Sequence, residues 1–155
     1  MKILAVSDRV LDKLYSGQVS QSFPDIDLLI GCGDLPFYYL DFLTSALNVP
    51  LLYVRGNHDN GPQYAADGGI WNDVRGGMDI HGKVIERKGL ILAGLQGSMR
   101  YKPHGEYMYS ESEMRMVVAQ MTPRLLWNRQ RFGRALDVLV THSPPYGIHD
   151  RPDLP

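Results

Sequence analysis

Pro50-Leu51-Leu52-Tyr53-Val54-Arg55-Gly56-Asn57-His58-Asp59 is an apolar run that stops near a glycine and then presents an amide, an imidazole and a carboxylate. The apolar half predicts a buried strand. A simple turn needs Gly, Asn or Asp for backbone reasons, but has no use for His. Three other apolar runs end in a similar way. Ile3 to Val6 leads into Ser7-Asp8, Leu28 to Ile30 into Gly31-Cys32-Gly33-Asp34, and Leu136 to Val140 into Thr141-His142. In a parallel α/β sheet such strand ends share one edge, and ligands bind there. Asp8, Asp34, Asn57, His58 and His142 therefore converge in this reading.

The segments around these strands predict a βαβαβ run with short connections. Ser7 or Asp8 caps a first helix in which Val10, Leu11 and Leu14 share a face. Pro24-Asp25 ends it, and Asp27 to Ile30 is the second strand. A second helix begins at Pro36, with Phe37, Leu40, Leu43 and Leu47 as its apolar stripe. Leu51 to Val54 is the third strand. Residues 60–78, with Gly61-Pro62, Gly68-Gly69 and Gly76-Gly77, form a long loop. Lys83 to Glu86 and Leu90 to Ala93 are a strand pair, and Gly94 to Gly105 is a second loop carrying Arg100, Tyr101 and His104. Ser110 and Glu113 form a capping box. The helix after it aligns Met114, Val117, Val118 and Met121, is interrupted at Pro123, and resumes as a basic segment through Arg134.

The chain has 155 residues, is 44% hydrophobic and 21% charged, and carries a formal charge of −1. That composition suits a globular protein, and one domain over residues 1–155 is expected. No basic field argues for nucleic acid, and the arginines at 124, 129, 131 and 134 read more simply as the charged face of a helix. The single cysteine, Cys32, excludes an internal disulfide and suits a reducing compartment. The apolar start MKILAV is too short for a signal peptide or a membrane span, so a cytoplasmic location without membrane contact is expected. Pro144 to Pro155 has no hydrophobic period. A sheet seldom finishes in that way, so the fold is expected to lack its last C-terminal strands. The edge left open would invite pairing with a second copy of the chain.

Asp8, Gly33-Asp34, Gly56-Asn57-His58-Asp59 and His142, in that order, resemble the calcineurin-like metallophosphoesterases, whose pattern is D-x-H, G-D, G-N-H-[DE], H and G-H-x-H. Gly97 to Tyr101 and Thr141 to Pro145 also look like bacterial members. The resemblance covers residues 8–142 and implies a two-sheet α/β sandwich with helices outside. It implies two divalent cations (Mn, Fe, Zn or Ni), bridged by Asp34 and a hydroxide, with Asp8 on the first and Asn57 and His142 on the second. A phosphomonoester or phosphodiester would be the substrate. His58 would protonate the leaving oxygen, work worth about 10²–10⁴-fold, and Asp59 would orient it or cap a turn. Arg100 would clamp phosphate with its guanidinium fork.

Each role has a plainer alternative. Asp8 and Asp34 stand where helix caps stand. His58 could be a turn residue, Arg100 a solvated loop side chain, and Cys32 a small buried residue beneath the site. Two departures from the pattern matter more. Val10 replaces the histidine of D-x-H. The terminal G-H-x-H is absent: Gly147-Ile148-His149-Asp150 holds one histidine and lies close behind His142. A catalytically impaired binding scaffold on the same fold is therefore the second reading. His81 and His149 are expected at the surface, as remote candidates for a substitute ligand.

Overall fold

The computed structural model describes residues 1–59, 61–64 and 68–144. In chain order its elements are β1 (Ile3–Val6), α1 (Val19–Ser22), β2 (Leu28–Gly31), α2 (Phe37–Leu47), β3 (Leu51–Tyr53), β4 (Gln63–Tyr64), β5 (Ile70–Trp71), β6 (Gly77–Asp79), β7 (Val84–Arg87), β8 (Leu90–Leu95), β9 (Ser98–Met99), β10 (Met108–Tyr109), α3 (Glu111–Phe132) and β11 (Val138–Thr141). The larger sheet runs β1-β2-β3-β6, all parallel. The second runs β11-β8-β7, parallel then antiparallel. A bridge between His81 and Gly94 joins the segments beside them.

Alternation along the central strands explains their unbroken apolar runs. Leu29, Leu51 and Tyr53 turn toward α2, where they meet Phe37, Tyr39, Leu40 and Leu43. Leu28, Ile30, Leu52 and Val54 turn the other way, onto Ile80, Leu92 and Val140 of the second sheet's side. A strand buried on both faces must be apolar at successive positions. The fold is thus a two-sheet α/β sandwich, with α2 covering the outer face of the larger sheet.

Four expectations are corrected. The first helix shrinks to a turn, Tyr15 N–H to Leu11 O (2.8 Å), followed by the short α1. Asp8 sits at φ +62°, which turns the chain out of a helical path, and Leu11 is 52% exposed while Leu14 is buried. Pro36 is the N-cap of α2 rather than its first residue, and no side chain caps that helix. Pro123 does not interrupt α3, which is continuous across it. The proline is exposed, so the carbonyl that loses its N–H partner is left on the wet side. A fourth parallel strand, β6, lies within the predicted loop. It pairs Leu51 with Gly77 and Tyr53 with Asp79, through backbone bonds that its Gly-rich sequence does not advertise.

The capping box at the start of α3 forms as expected, with Ser110 N–H and its hydroxyl both on Glu113 Oε2 (2.7 and 2.8 Å). Those two bonds, then the one from Arg100, pull the Glu113 carboxyl from 4.5 down to about 2. A carboxyl depressed on folding contributes stability above its unfolded pKa and loses it as pH falls through the folded one. Glu113→Gln is therefore expected to lower Tm near neutral pH. The gap to wild type should close as the medium is acidified from 4.5 toward 2. Thermal melts across that range check it, and a gap independent of pH would refute it.

Candidate metal centre

Each strand of the central group releases one polar side chain at its C-terminal end. Asp8 follows β1 and Asp34 follows β2, both with positive φ (+62° and +56°). Asp and Asn tolerate that left-handed conformation better than most side chains. It also explains why neither caps a helix: the chain turns away before one begins. Asp8 N–H donates to Gly33 O (3.1 Å), which couples the first two strand ends. The Asp8 carboxylate also accepts the hydroxyl of Ser7.

Gly33 and Gly56 let the loops after β2 and β3 touch. Gly33 has φ +93°, and a Cβ there would lie 2.7 Å from His142 Nδ1 and 2.5 Å from Gly56 N. His142 enters from the end of β11. Its Nδ1 lies 2.8 Å from the Cys32 carbonyl, which can only accept, so Nδ1 carries a hydrogen and, in the neutral ring, the lone pair is on Nε2. Nε2 points at Asn57 Oδ1 (3.1 Å) and Asp34 Oδ2 (3.5 Å). Ligand atoms of Asp8, Asp34 and His142 all lie within 4.8 Å of one another. Two carboxylates, an amide oxygen and an imidazole lone pair thus face a common point. Mutually facing acceptors repel unless something positive lies among them. This mixed O/N set fits a divalent cation of the Mn, Fe, Zn or Ni kind rather than a thiolate-seeking one.

His58 leans on the same carboxylate. Its backbone N–H donates to Asp34 Oδ1 (2.9 Å), and its Nδ1 lies 2.7 Å from Asp34 Oδ2. The ring is 67% exposed, so Nε2 faces a cleft of about 390 Å³ lined by Asp8, Asp34, Leu35, Pro36, His58, Asp59 and Gln63.

Three expected placements differ. Asp59 does not orient His58: its Oδ2 accepts from Asp34 N–H (2.9 Å) and Gly56 N–H (2.7 Å), buckling the two loops together. Burial, chiefly, raises its pKa. Asp34 is the carboxylate that orients His58. Arg100 turns away from the cleft, onto Glu113 (2.8 and 3.0 Å) and the Met108 carbonyl (3.2 Å). The neighbouring Tyr101 reaches the centre instead, its Oη 3.0 Å from Asn57 Nδ2. Arg100 and Tyr101 are consecutive, and their side chains leave the segment on different sides, one to Glu113 and one to Asn57.

His81 is half-buried rather than fully at the surface. Its Nδ1 accepts from Gln96 N–H (3.1 Å), its ring lies against Tyr109, and burial lowers its pKa. Cys32 is half-buried beneath the site, with its thiol pKa raised, by burial first. Gly147-Ile148-His149-Asp150 lies outside the described residues.

The family model for calcineurin-like phosphoesterases matches residues 3–154. The chain belongs to that family. No curated protein and no solved structure gives a significant match. In this calcineurin-like phosphoesterase the candidate ligand group Asp8, Asp34 and His142 lies just past β1, β2 and β11. Among the described residues, no helix is long and apolar enough to cross a membrane.

Proposed function

We propose that this calcineurin-like phosphoesterase hydrolyses a phosphomonoester or phosphodiester with two divalent cations. The observation that carries the reading is the convergence of Asp8, Asp34 and His142 beside an exposed His58. Asp34 would be shared between the cations, Asp8 would hold one, and Asn57 with His142 would hold the other. When bound, the cations supply Lewis acidity, lowering the pKa of water and neutralising charge on the phosphoryl oxygens. His58 delivers a proton from Nε2 to the leaving oxygen, while Asp34 holds its Nδ1–H and so fixes the ring. The Cys32 carbonyl fixes His142 in the tautomer that leaves Nε2 free to ligate. Asp59 keeps the Asp34 and Gly56 backbones in register, and so aims both neighbouring side chains. The cleft is of the size that takes a small ligand.

Metal-free protein should be inactive and should gain hydrolysis of p-nitrophenyl phosphate or bis(p-nitrophenyl) phosphate on addition of Mn²⁺. The preferred ester then separates the two substrate classes. No gain with Mn²⁺, Fe²⁺, Zn²⁺ or Ni²⁺ would overturn the proposal.

One observation favours the scaffold reading. Val10 packs against the apolar cluster beneath α2, so its position contributes nothing to the donor set. A scaffold predicts less than one cation per chain and no hydrolysis of either ester.

A further inference from the structure

Asn57 is 7% exposed, and its amide has two faces with opposite chemistry. Turned one way, Oδ1 joins the carboxylates and His142 Nε2, as a cation requires. Turned the other way, the Nδ2–H group would donate to His142 Nε2 and present hydrogens to the point where a cation would sit. Backbone geometry alone does not choose between them. The structure has Oδ1 toward His142 (3.1 Å) and Nδ2 toward Tyr101 Oη (3.0 Å); His58 Nδ1 also lies 3.3 Å from Nδ2, but that nitrogen is turned to Asp34 Oδ2 (2.7 Å).

We propose that Tyr101 is a positioning residue of the metal centre: its phenolic oxygen takes the Asn57 Nδ2–H and so completes the amide orientation that turns Oδ1 toward the donor cluster. This rests on the metal-centre reading above and deepens it. Without the phenol, the inward-oxygen state leaves the buried Nδ2–H without that acceptor, whereas the flipped state places Nδ2–H on His142 and moves the loss to Oδ1; a buried N–H tolerates the lack of a partner less well than a carbonyl oxygen does. A hydrogen-bond donor left unpaired by the loss of its partner is costly, so removal of one oxygen biases the amide against cation binding.

The segment that carries Tyr101 is built to hold it there. Arg100 N–H donates to Tyr109 O (3.0 Å), and Ser98 N–H to Tyr107 O (3.1 Å), within the β9–β10 pair. On the opposite side from Tyr101, the Arg100 guanidinium is fastened to Glu113 at the start of α3. Gly97 N–H donates to Arg55 O (2.7 Å), and Ser143 Oγ to Gly97 O (3.1 Å), tying the same segment to the loops of Asn57 and His142. Lys102 Nζ lies over the Tyr101 ring, 5.2 Å from its centroid. Tyr101 is 43% exposed, and its hydroxyl is the part that meets Asn57.

Tyr101→Phe keeps the ring and removes the oxygen. Mn²⁺ affinity would be measured by calorimetry, and the visible spectrum of the Co²⁺-loaded protein recorded, for wild type, Tyr101→Phe, Asn57→Ala and the double variant. Tyr101→Phe is expected to bind Mn²⁺ about 10-fold more weakly, at the lower end of what an outer-shell partner carries. The Co²⁺ bands should shift, and Tm of the cation-free protein should be unchanged. In the Asn57→Ala background the Phe substitution should add nothing, since the group it positions is gone. Wild-type affinity in Tyr101→Phe alongside a loss in Asn57→Ala would overturn the proposal and leave the metal centre standing. So would a loss that adds fully to that of Asn57→Ala. If wild type itself takes up neither Mn²⁺ nor Co²⁺, the metal-centre reading has failed, and the role of Tyr101 fails with it.

Discussion

Asp34→Asn is expected to weaken cation binding by at least about 100-fold, because outer-shell partners alone are worth roughly 10–100-fold. Asparagine is the informative replacement. It accepts the left-handed backbone at φ +56°, which alanine does less readily, and keeps an oxygen for the His58 N–H. The substitution therefore removes charge with little strain. In the cation-free protein Tm should stay within about 3 °C of wild type, equivalent to roughly 1 kcal/mol for a chain of this size. The lost pull on the His58 ring is opposed by relief of repulsion between Asp34 and Asp8, whose oxygens lie within the same 4.8 Å group. With Mn²⁺ the two proteins should part. A cation at 100 times its Kd adds about 2.7 kcal/mol to wild type, a rise in Tm of roughly 5–10 °C, and should add almost nothing to Asp34→Asn. Thermal melts with and without Mn²⁺ read this directly. An equal rise in both proteins would remove Asp34 from the centre.

The parts of this fold that were legible in the sequence are those where burial dictates residue type. Leu28 to Gly31 and Leu51 to Tyr53 lie between two apolar layers, so both faces had to be apolar and the strands stood out. β6 lies beside them in the same sheet but pairs through its backbone, and Gly76-Gly77 reads as loop whatever its partner. The turn after Asp8 was missed because the residues at 10, 11 and 14 have helical spacing, while the decisive φ at Asp8 leaves no mark in the sequence. Pro123 misled for the opposite reason: a strong local breaker was overridden in a helix whose wet face could absorb one lost bond.

The site shows the same division. Convergence of Asp8, Asp34, Asn57, His58 and His142 could be argued from four strand ends alone, because a parallel sheet delivers its C-terminal ends to one edge. Direction of side chains could not. Asp34 and Asp59 are both carboxylates near His58, and only the contact between the two loops decides which of them meets the imidazole. Arg100 looked like a phosphate clamp by chemistry, yet Glu113 lies on its side of the segment and Asn57 on that of Tyr101.

The contact between those loops yields the largest expected effect on stability and site together. Gly56→Ala would place a Cβ 1.9 Å from Asp34 Oδ1, 2.6 Å from its Cγ and 2.7 Å from its backbone N. The carboxylate cannot simply swing aside, because it is held by His58 N–H and Nδ1 while the backbone N–H is held by Asp59. Relief must come from separating the loops after β2 and β3, which breaks the Asp59 buckle at Gly56 N–H as well. Overpacking of this kind costs about 1–3 kcal/mol, and for this chain that is a fall in Tm of roughly 2–12 °C. The same movement displaces Asp34 from His142, so Mn²⁺ should no longer restore the lost stability. Gly17→Ala is the matched control. Nothing lies within 4 Å of its added Cβ and its φ is not positive, so it should hold or slightly raise Tm and keep the full response to Mn²⁺. If Gly56→Ala melts like wild type and still responds to Mn²⁺, the two loops do not meet as described, and the geometry that brings Asp34 to His142 is wrong.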